Sequence, residues 1–385
     1  MNAVLEIHIL QNFAPSNLNR DDTGSPKDAF FGGVRRARIS SQSFKRAMRT
    51  YFREQQLLKP DELAVRTKRV VDALTERLEE MGRDLSEANA RVVAALGGMG
   101  LKADEDKSQY LLFLGEREIA RIAQLIHERW DELNVAEAEG GKKGKDAKKA
   151  AKAAIPADLS KQLRGLLDGG KAVDLALFGR MLADLPERNA DAAAQVAHAL
   201  GTSRAEREFD FYTAVDDLKP EDTAGADMLG TVEFVSATYY RYANVDLEQL
   251  TKNLQGDTDL ALRGLEAFLR ASIFAAPSGK QNTFAAHNLP SFVAFTVRRN
   301  ASPRSLANAF ETPVQPLGRQ GLIEGSVQAL VKEWQQLDGK FGQGGQTAYL
   351  ATVSVPEGIP GAQEAPNVDA LVEAALREAR AALGV

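Results

Sequence analysis

Segments with the composition of strands lie toward the two ends of this 385-residue chain, and a long run with helical spacing lies between them. Residues 3–13 alternate like a strand. Residues 231–245, 291–299 and 347–354 are dense in Val, Thr and aromatic side chains, which suits a pleated, half-buried surface. From 57 to 200, Ala, Leu, Glu and Arg dominate, with helical spacing over 61–81, 86–96, 116–133, 157–168 and 174–200. Further helices are expected at 246–254, 258–274 and 367–383. The simplest arrangement is an α+β fold built from both termini around a large helical insertion. A βαββαβ sheet of that kind is a common platform for single-stranded RNA.

Two stretches interrupt this pattern. Residues 137–154, AEAEGGKKGKDAKKAAKA, have the low complexity of a flexible, solvated loop. Residues 201–230 carry Phe209, Phe211 and Tyr212 and then a polar, Gly-containing run, and read as a long loop or irregular hairpin. A loop of that length in a compact chain is usually functional.

The charge is unevenly placed. Between Arg20 and Arg53 there are nine Lys/Arg against three Asp, so this segment carries +6 on a chain whose formal net charge is −5. A polyanion partner is implied, and its site must be local. Ser40 or Ser41 can open a helix as its N-cap. Gln42, Lys45, Arg46, Arg49 and Arg53 then share one helical face, with Phe44, Ala47, Met48, Tyr51 and Phe52 on the other. A cationic stripe is often only the solvated side of a helix. Here no acidic residue follows at i+4, and Lys27, Arg35, Arg36 and Arg38 lead into the helix, which favours a nucleic-acid backbone. The helix N-terminus adds free N–H groups suited to a phosphate.

The chain contains no cysteine, so disulfide, thiolate and metal–sulfur chemistry are excluded. The opening VLEIHIL is strand-like rather than a signal peptide. No run is long enough for a membrane span. A cytoplasmic protein is expected.

The segment HILQNFAPSNLNRDDTGSPKDAFFGGVRRARISSQSFKRAMR resembles the N-terminus of the CasC-type backbone subunit of the type I-E CRISPR interference complex, Cascade, a branch of the RAMP superfamily. ALFGRM (176–181), AAAQVAHAL (192–200), FYTAVDDL (211–218), LGTVEF (229–234), YYRYANVDLEQL (239–250) and GKQNTFAAHNLP (279–290) match in order over about three quarters of the chain. The resemblance is weak at 137–154 and 300–345.

What the resemblance implies is a right-hand shape. A palm with an RNA-recognition-motif-like (ferredoxin-like) fold would come from 1–56 and 233–385, helical fingers from 57–200, and a thumb from 201–232. Such subunits assemble side by side on the spacer of a CRISPR RNA, with other Cascade subunits, in antiviral defence. Each thumb displaces a base at regular intervals and leaves the segments between open to pair with target DNA. Carried over residue by residue, Lys27, Ser40, Gln42, Lys45 and Arg49 grip the RNA backbone. Arg49 stands where relatives often have lysine, and adds bidentate phosphate geometry. Met181 would wedge against a displaced base or fill the core. Phe209, Phe211 and Tyr212 match the aromatic thumb cluster. Lys280 and Gln281 border the RNA groove. A varying spacer requires recognition of phosphates, sugars and base faces rather than base edges. Four to six phosphate contacts per subunit would give a log K against log salt slope of about −3 to −4.

No catalytic residue, cofactor or metal is expected. His8, His127, His198 and His287 form no ligand spacing. His8 falls in a strand, His127 and His198 in helical stretches, and His287 in a loop. No phosphate-binding or dinucleotide glycine motif is present. Asp21 and Asp22 carry the alternative, a metal-dependent endoribonuclease like the type III relatives. An Asn- and Asp-rich turn needs no metal to explain it.

Overall fold

A computed structural model describes residues 3–103, 107–133, 155–214, 228–316, 321–342, 345–351 and 362–385. The Lys-rich run and the polar stretch containing Asp216 and Asp217 lie outside them. The chain divides into two compact units. One comprises Met1–Gln55, Ala194–Glu248 and Leu265–Val385; the other comprises Gln56–Ala193 and Gln249–Gly264.

The first unit is built on a ten-stranded sheet. β1 (Ala3–Ser16) lies at its centre, antiparallel to β9 (Met228–Asp246) on one side and to β10 (Phe292–Arg299) on the other. From β10 the sheet continues to β11 (Gly345–Ala351) and, in parallel, to β12 (Ala362–Glu364). On the other side β9 pairs with β6 (Ala194–Val196), β7 (Ala199–Gly201) and β8 (Arg207–Ala214). β7 leads on to β3 (Val34–Ile39) and β2 (Asp28–Phe31). This mixed antiparallel sheet with packed helices is the expected α+β fold.

β1 is buried on both faces along most of its length, as a central strand covered by helices must be. One layer is formed by helix Leu322–Phe341, whose Val327, Leu330, Val331 and Trp334 pack with Leu10, Tyr240, Phe292 and Phe310. The sequence reading includes no element there.

In the second unit, helices α2 (Val70–Glu80), α3 (Leu85–Met99) and α4 (Glu116–Glu128) bury one aliphatic core with Ala157–Gly165. Two expected helices are shorter than their spacing suggests. The 61–81 run begins with the 3-10 turn Pro60–Glu62 and strand β4 (Ala64–Thr67), which pairs with β5 (Leu112–Gly115) before α2 starts. The 174–200 run is α-helical only over Val173–Phe178, with a single 3-10 turn at Pro186–Arg188. Its end becomes β6 and β7, because pairing with β9 outweighs the helix propensity of alanine.

Candidate nucleic-acid interface

The basic helix α1 spans Ser41–Glu54 and buries Phe44, Met48 and Phe52 at i, i+4 and i+8. Ala47 and Tyr51, expected on the same buried face, are only half-buried and line a cleft instead. Ser40 holds the N-cap position with extended backbone angles, but its side chain makes no capping bond. Its N–H donates to Asn19 Oδ1 at 2.8 Å, which ties the start of the helix to the preceding loop. Gln42 and Arg46 are exposed; Lys45 and Arg49 are half-buried. Desolvation holds the Lys45 ammonium below the ordinary lysine range.

The cations leading into the helix divide between surface and interior. Arg38 is half-buried, donates from Nε to Asp28 O at 3.0 Å and reaches His198 Nδ1 at 3.2 Å. His198 Nδ1 also accepts from the Ser41 N–H at 3.3 Å. Desolvation, and then the charges of Arg38 and Lys27, lower the His198 pKa, so the ring is a neutral acceptor at the head of α1. The structure corrects the reading of His198 as helical: it is exposed, in the turn between β6 and β7. The alternation of Ala194, Val196 and His198 is the sequence signal for it. Arg35 is exposed, ion-paired with Asp28 at 2.6 Å, and stacked over the exposed Phe30 ring at 4.8 Å.

Arg36 corrects the expectation that it contacts RNA. It is fully buried, and its guanidinium donates only to backbone carbonyls: Phe31, Gly201, Thr202, Phe310 and Glu311, at 2.7 to 3.2 Å. It ties β3 to residues 201–202 and 310–311 from the interior. The Gly32–Gly33 turn above it requires glycine. Both residues have positive φ, and a Cβ at Gly32 would stand 1.7 Å from Glu311 O. A second buried guanidinium, Arg241, lies 4.1 Å from the Phe44 ring beneath α1 and donates to Gln11 Oε1 at 2.5 Å. Burial pushes its pKa down to about 9.

The exposed side of α1 borders a cleft of about 1000 Å³. Arg20, Asp21, Asp22, Arg46, Tyr51, Gln281 and His287 are among its lining residues. The fold thus brings Gln281, distant in sequence, beside the basic helix. The 278–281 loop lies so close to the Asn17–Leu18 backbone that a Cβ at Gly279 would meet Leu18 O at 2.3 Å. Lys280 is half-buried with left-handed backbone angles, and its carbonyl accepts from Thr283 and Phe284 N–H. The Gln281 amide nitrogen donates to Pro277 O and Ala286 O, both at 3.2 Å. This fixes the amide orientation and leaves buried Oε1 without a partner. Asp21 Oδ1 accepts from the N–H of Thr23 and of Ser25 and from the Thr23 hydroxyl, so its carboxylate closes its own turn. These bonds, the Thr23 hydroxyl first, lower its pKa. Among the described residues, no group of three or more His, Cys, Asp or Glu is placed to hold a metal.

The aromatic cluster separates by strand alternation. Phe209 and Phe211, on one face of β8, are 65% and 64% exposed. Tyr212, on the other face, covers the backbone of its cross-strand partner Gly230, where a Cβ would meet the ring at 2.4 Å. In the second unit Met181 is 79% exposed, so it is not a core methionine.

The sequence profile of the CT1975-like protein family matches residues 5–374. Among solved structures, the chain resembles one chain of a "CRISPR RNA-guided surveillance complex, pre-nicking". The identity is 33%, over 97% of this chain and 100% of that one, with a TM-score of 0.83. It also resembles a chain of a "CRISPR RNA-guided surveillance complex" at 28% identity, over 97% of this chain and 99% of that one, with a TM-score of 0.72. No curated protein matches the chain in sequence.

Proposed function

The chain belongs to the CT1975-like protein family, and from that premise we propose that it is a backbone subunit of a type I-E Cascade complex, of the CasC type. It polymerises along the spacer of a CRISPR RNA and presents that RNA for pairing with target DNA. The observation that carries this reading is the 33% identity, across both chains, to part of a CRISPR RNA-guided surveillance complex. The head of α1 supports it physically. Arg38 beside the positive end of the helix forms a cationic site suited to phosphate rather than base identity.

The subunit is a scaffold rather than a nuclease in this proposal, and it lies in the cytoplasm. The engagement of Asp21 by its own turn supports a structural role for that loop. No described helix is long and apolar enough to cross a membrane. The test is co-expression with a CRISPR RNA, followed by particle mass and RNA integrity with and without Mg²⁺. Multi-copy particles holding intact RNA, lost when Lys45→Glu and Arg49→Glu are combined, are expected. Monomers without RNA from the unaltered chain, co-expressed with the remaining complex subunits, would sink the proposal. RNA cut only with Mg²⁺ would instead assign Asp21 and Asp22 to an endoribonuclease.

A further inference from the structure

Several arginines of the helical unit are matched by carboxylates. Arg117 is ion-paired with Asp61, Arg121 with Asp168, and Arg129 with Glu132 and Asp158. Lys161, Arg164 and Arg188 are different. None of the three has a carboxylate partner among the described residues, yet they gather at one cleft of about 330 Å³. The cleft lies between helix Ala157–Gly165 and the 3-10 turn Pro186–Arg188, and Glu187 is its acidic member.

Both arginines are half-buried and anchored. Arg164 donates from Nη2 to Gly98 O at 3.1 Å, and the Ser160 hydroxyl donates to the same carbonyl at 2.7 Å. Arg188 is held through its backbone. Its N–H donates to Leu185 O at 2.9 Å, and its carbonyl accepts from the Arg180 guanidinium at 3.2 Å. Arg180 is in turn fixed by both oxygens of buried Glu118, at 2.9 and 2.8 Å. Arg164 Nε and Arg188 Nε are buried and have no acceptor among the described residues. A charged donor withdrawn from water without an acceptor is costly, so two at one cleft call for an explanation.

We propose that Lys161, Arg164 and Arg188 form a phosphate-binding site in the helical unit. Three cations against Glu187 leave a formal charge of +2 (3 − 1) at the cleft. That suits a phosphate better than a single carboxylate, and a guanidinium grips phosphate through Nε and Nη as a fork. A cleft of this size accepts more than the phosphate itself. Ile155 and Ala157 supply apolar wall for the group that the phosphate is attached to. A free nucleotide and a nucleic-acid backbone share this chemistry. The site uses no residue of α1, so it stands apart from the guide-RNA reading.

The chain has no cysteine, so Ala157→Cys, exposed at the same cleft, gives a unique site for an environment-sensitive fluorophore. The labelled full chain is titrated with AMP and, separately, with a short DNA duplex, at constant ionic strength. A saturable signal is expected, with affinity reduced about tenfold or more by Arg164→Gln and by Arg188→Gln. Saturation by AMP, with or without the duplex, assigns a free nucleotide; saturation by the duplex alone assigns a backbone phosphate. Should the arginine variants fail to fold, as read by thermal melting, Lys161→Glu at an exposed position should show the same loss. No saturable signal with either probe, or unaltered affinity in the folded variants, overturns the site.

Discussion

Arg36 in the sheet unit and Arg180 in the helical unit are both buried, and their guanidiniums are partnered differently. Arg36, in the sheet unit, donates to five neutral carbonyls and keeps its charge. Arg180, in the helical unit, faces the Glu118 carboxylate and is electrically closed. The difference is informative. In the sheet unit, the Arg36 charge, unlike that of Arg298, which pairs with Glu6, has only carbonyl partners and lies behind a face that carries Lys27 and Arg38. In the helical unit, the ion pair shapes a turn and leaves the exposed thioether without a nearby net charge from that pair.

The sharpest way to break this comparison is to remove each guanidinium in turn. Arg180→Met strands a desolvated carboxylate and should destabilise the protein by about 3–5 kcal/mol. Arg36→Met strands only carbonyls and should cost less, about 2–3 kcal/mol. Urea unfolding of the two variants measures both, and equal losses would erase the distinction.

A smaller effect concerns a third buried group in the sheet unit. His8 is fully buried beside Tyr240, Tyr242 and Trp334, and burial lowers its pKa to about 3, with help from the Arg298 charge. The unfolded chain takes up this proton near pH 6.5 and the folded one does not, so stability falls as pH drops from about 6.5 toward 3. Between pH 6.5 and 5 the parent should lose about 2 kcal/mol that His8→Gln does not lose, as read by urea midpoints at each pH. A parallel decline in both proteins would show that His8 does not titrate in this way.

The smallest effect on stability separates surface from interior charge. Arg46→Glu, on the exposed side of α1, should change stability by no more than about 0.5 kcal/mol. It should also lower the magnitude of the salt slope of RNA binding by about 0.7 for each phosphate that it no longer neutralises. A stability loss like that of Arg36→Met would mean the two arginines are not different in kind.

Periodicity exposes some of this in the sequence and hides other parts. Phe44, Met48 and Phe52 recur at helical spacing, and α1 follows. Arg36 and Arg38 share a spacing and a charge, and nothing local says that one turns inward. That depends on carbonyls from residues 201–202, at the end of the paired strand β7, and from 310–311, at the end of the 3-10 turn Ala307–Phe310. The run ending at Leu200 is alanine-rich and locally helical in character, but β9 offers backbone partners that no local window contains. His198 reaches the head of α1 for the same reason. Met181 is ambiguous between core and surface in the sequence, and the burial of Arg180 and Leu182 on either side of it resolves the choice.

β9 carries one further consequence. Its 19 residues pair with β1 until the irregularity between Phe13 and Ser16, and from Val235 outward they pair with β8. Phe209 and Phe211 are therefore mounted on a beam clamped into the central sheet, rather than on a tether. A load on those two rings is carried along hydrogen bonds into β1 and its neighbours. Their reach and aim are then inherited from the twist of the sheet, and repacking around Leu10 or Tyr240 would steer them from a distance.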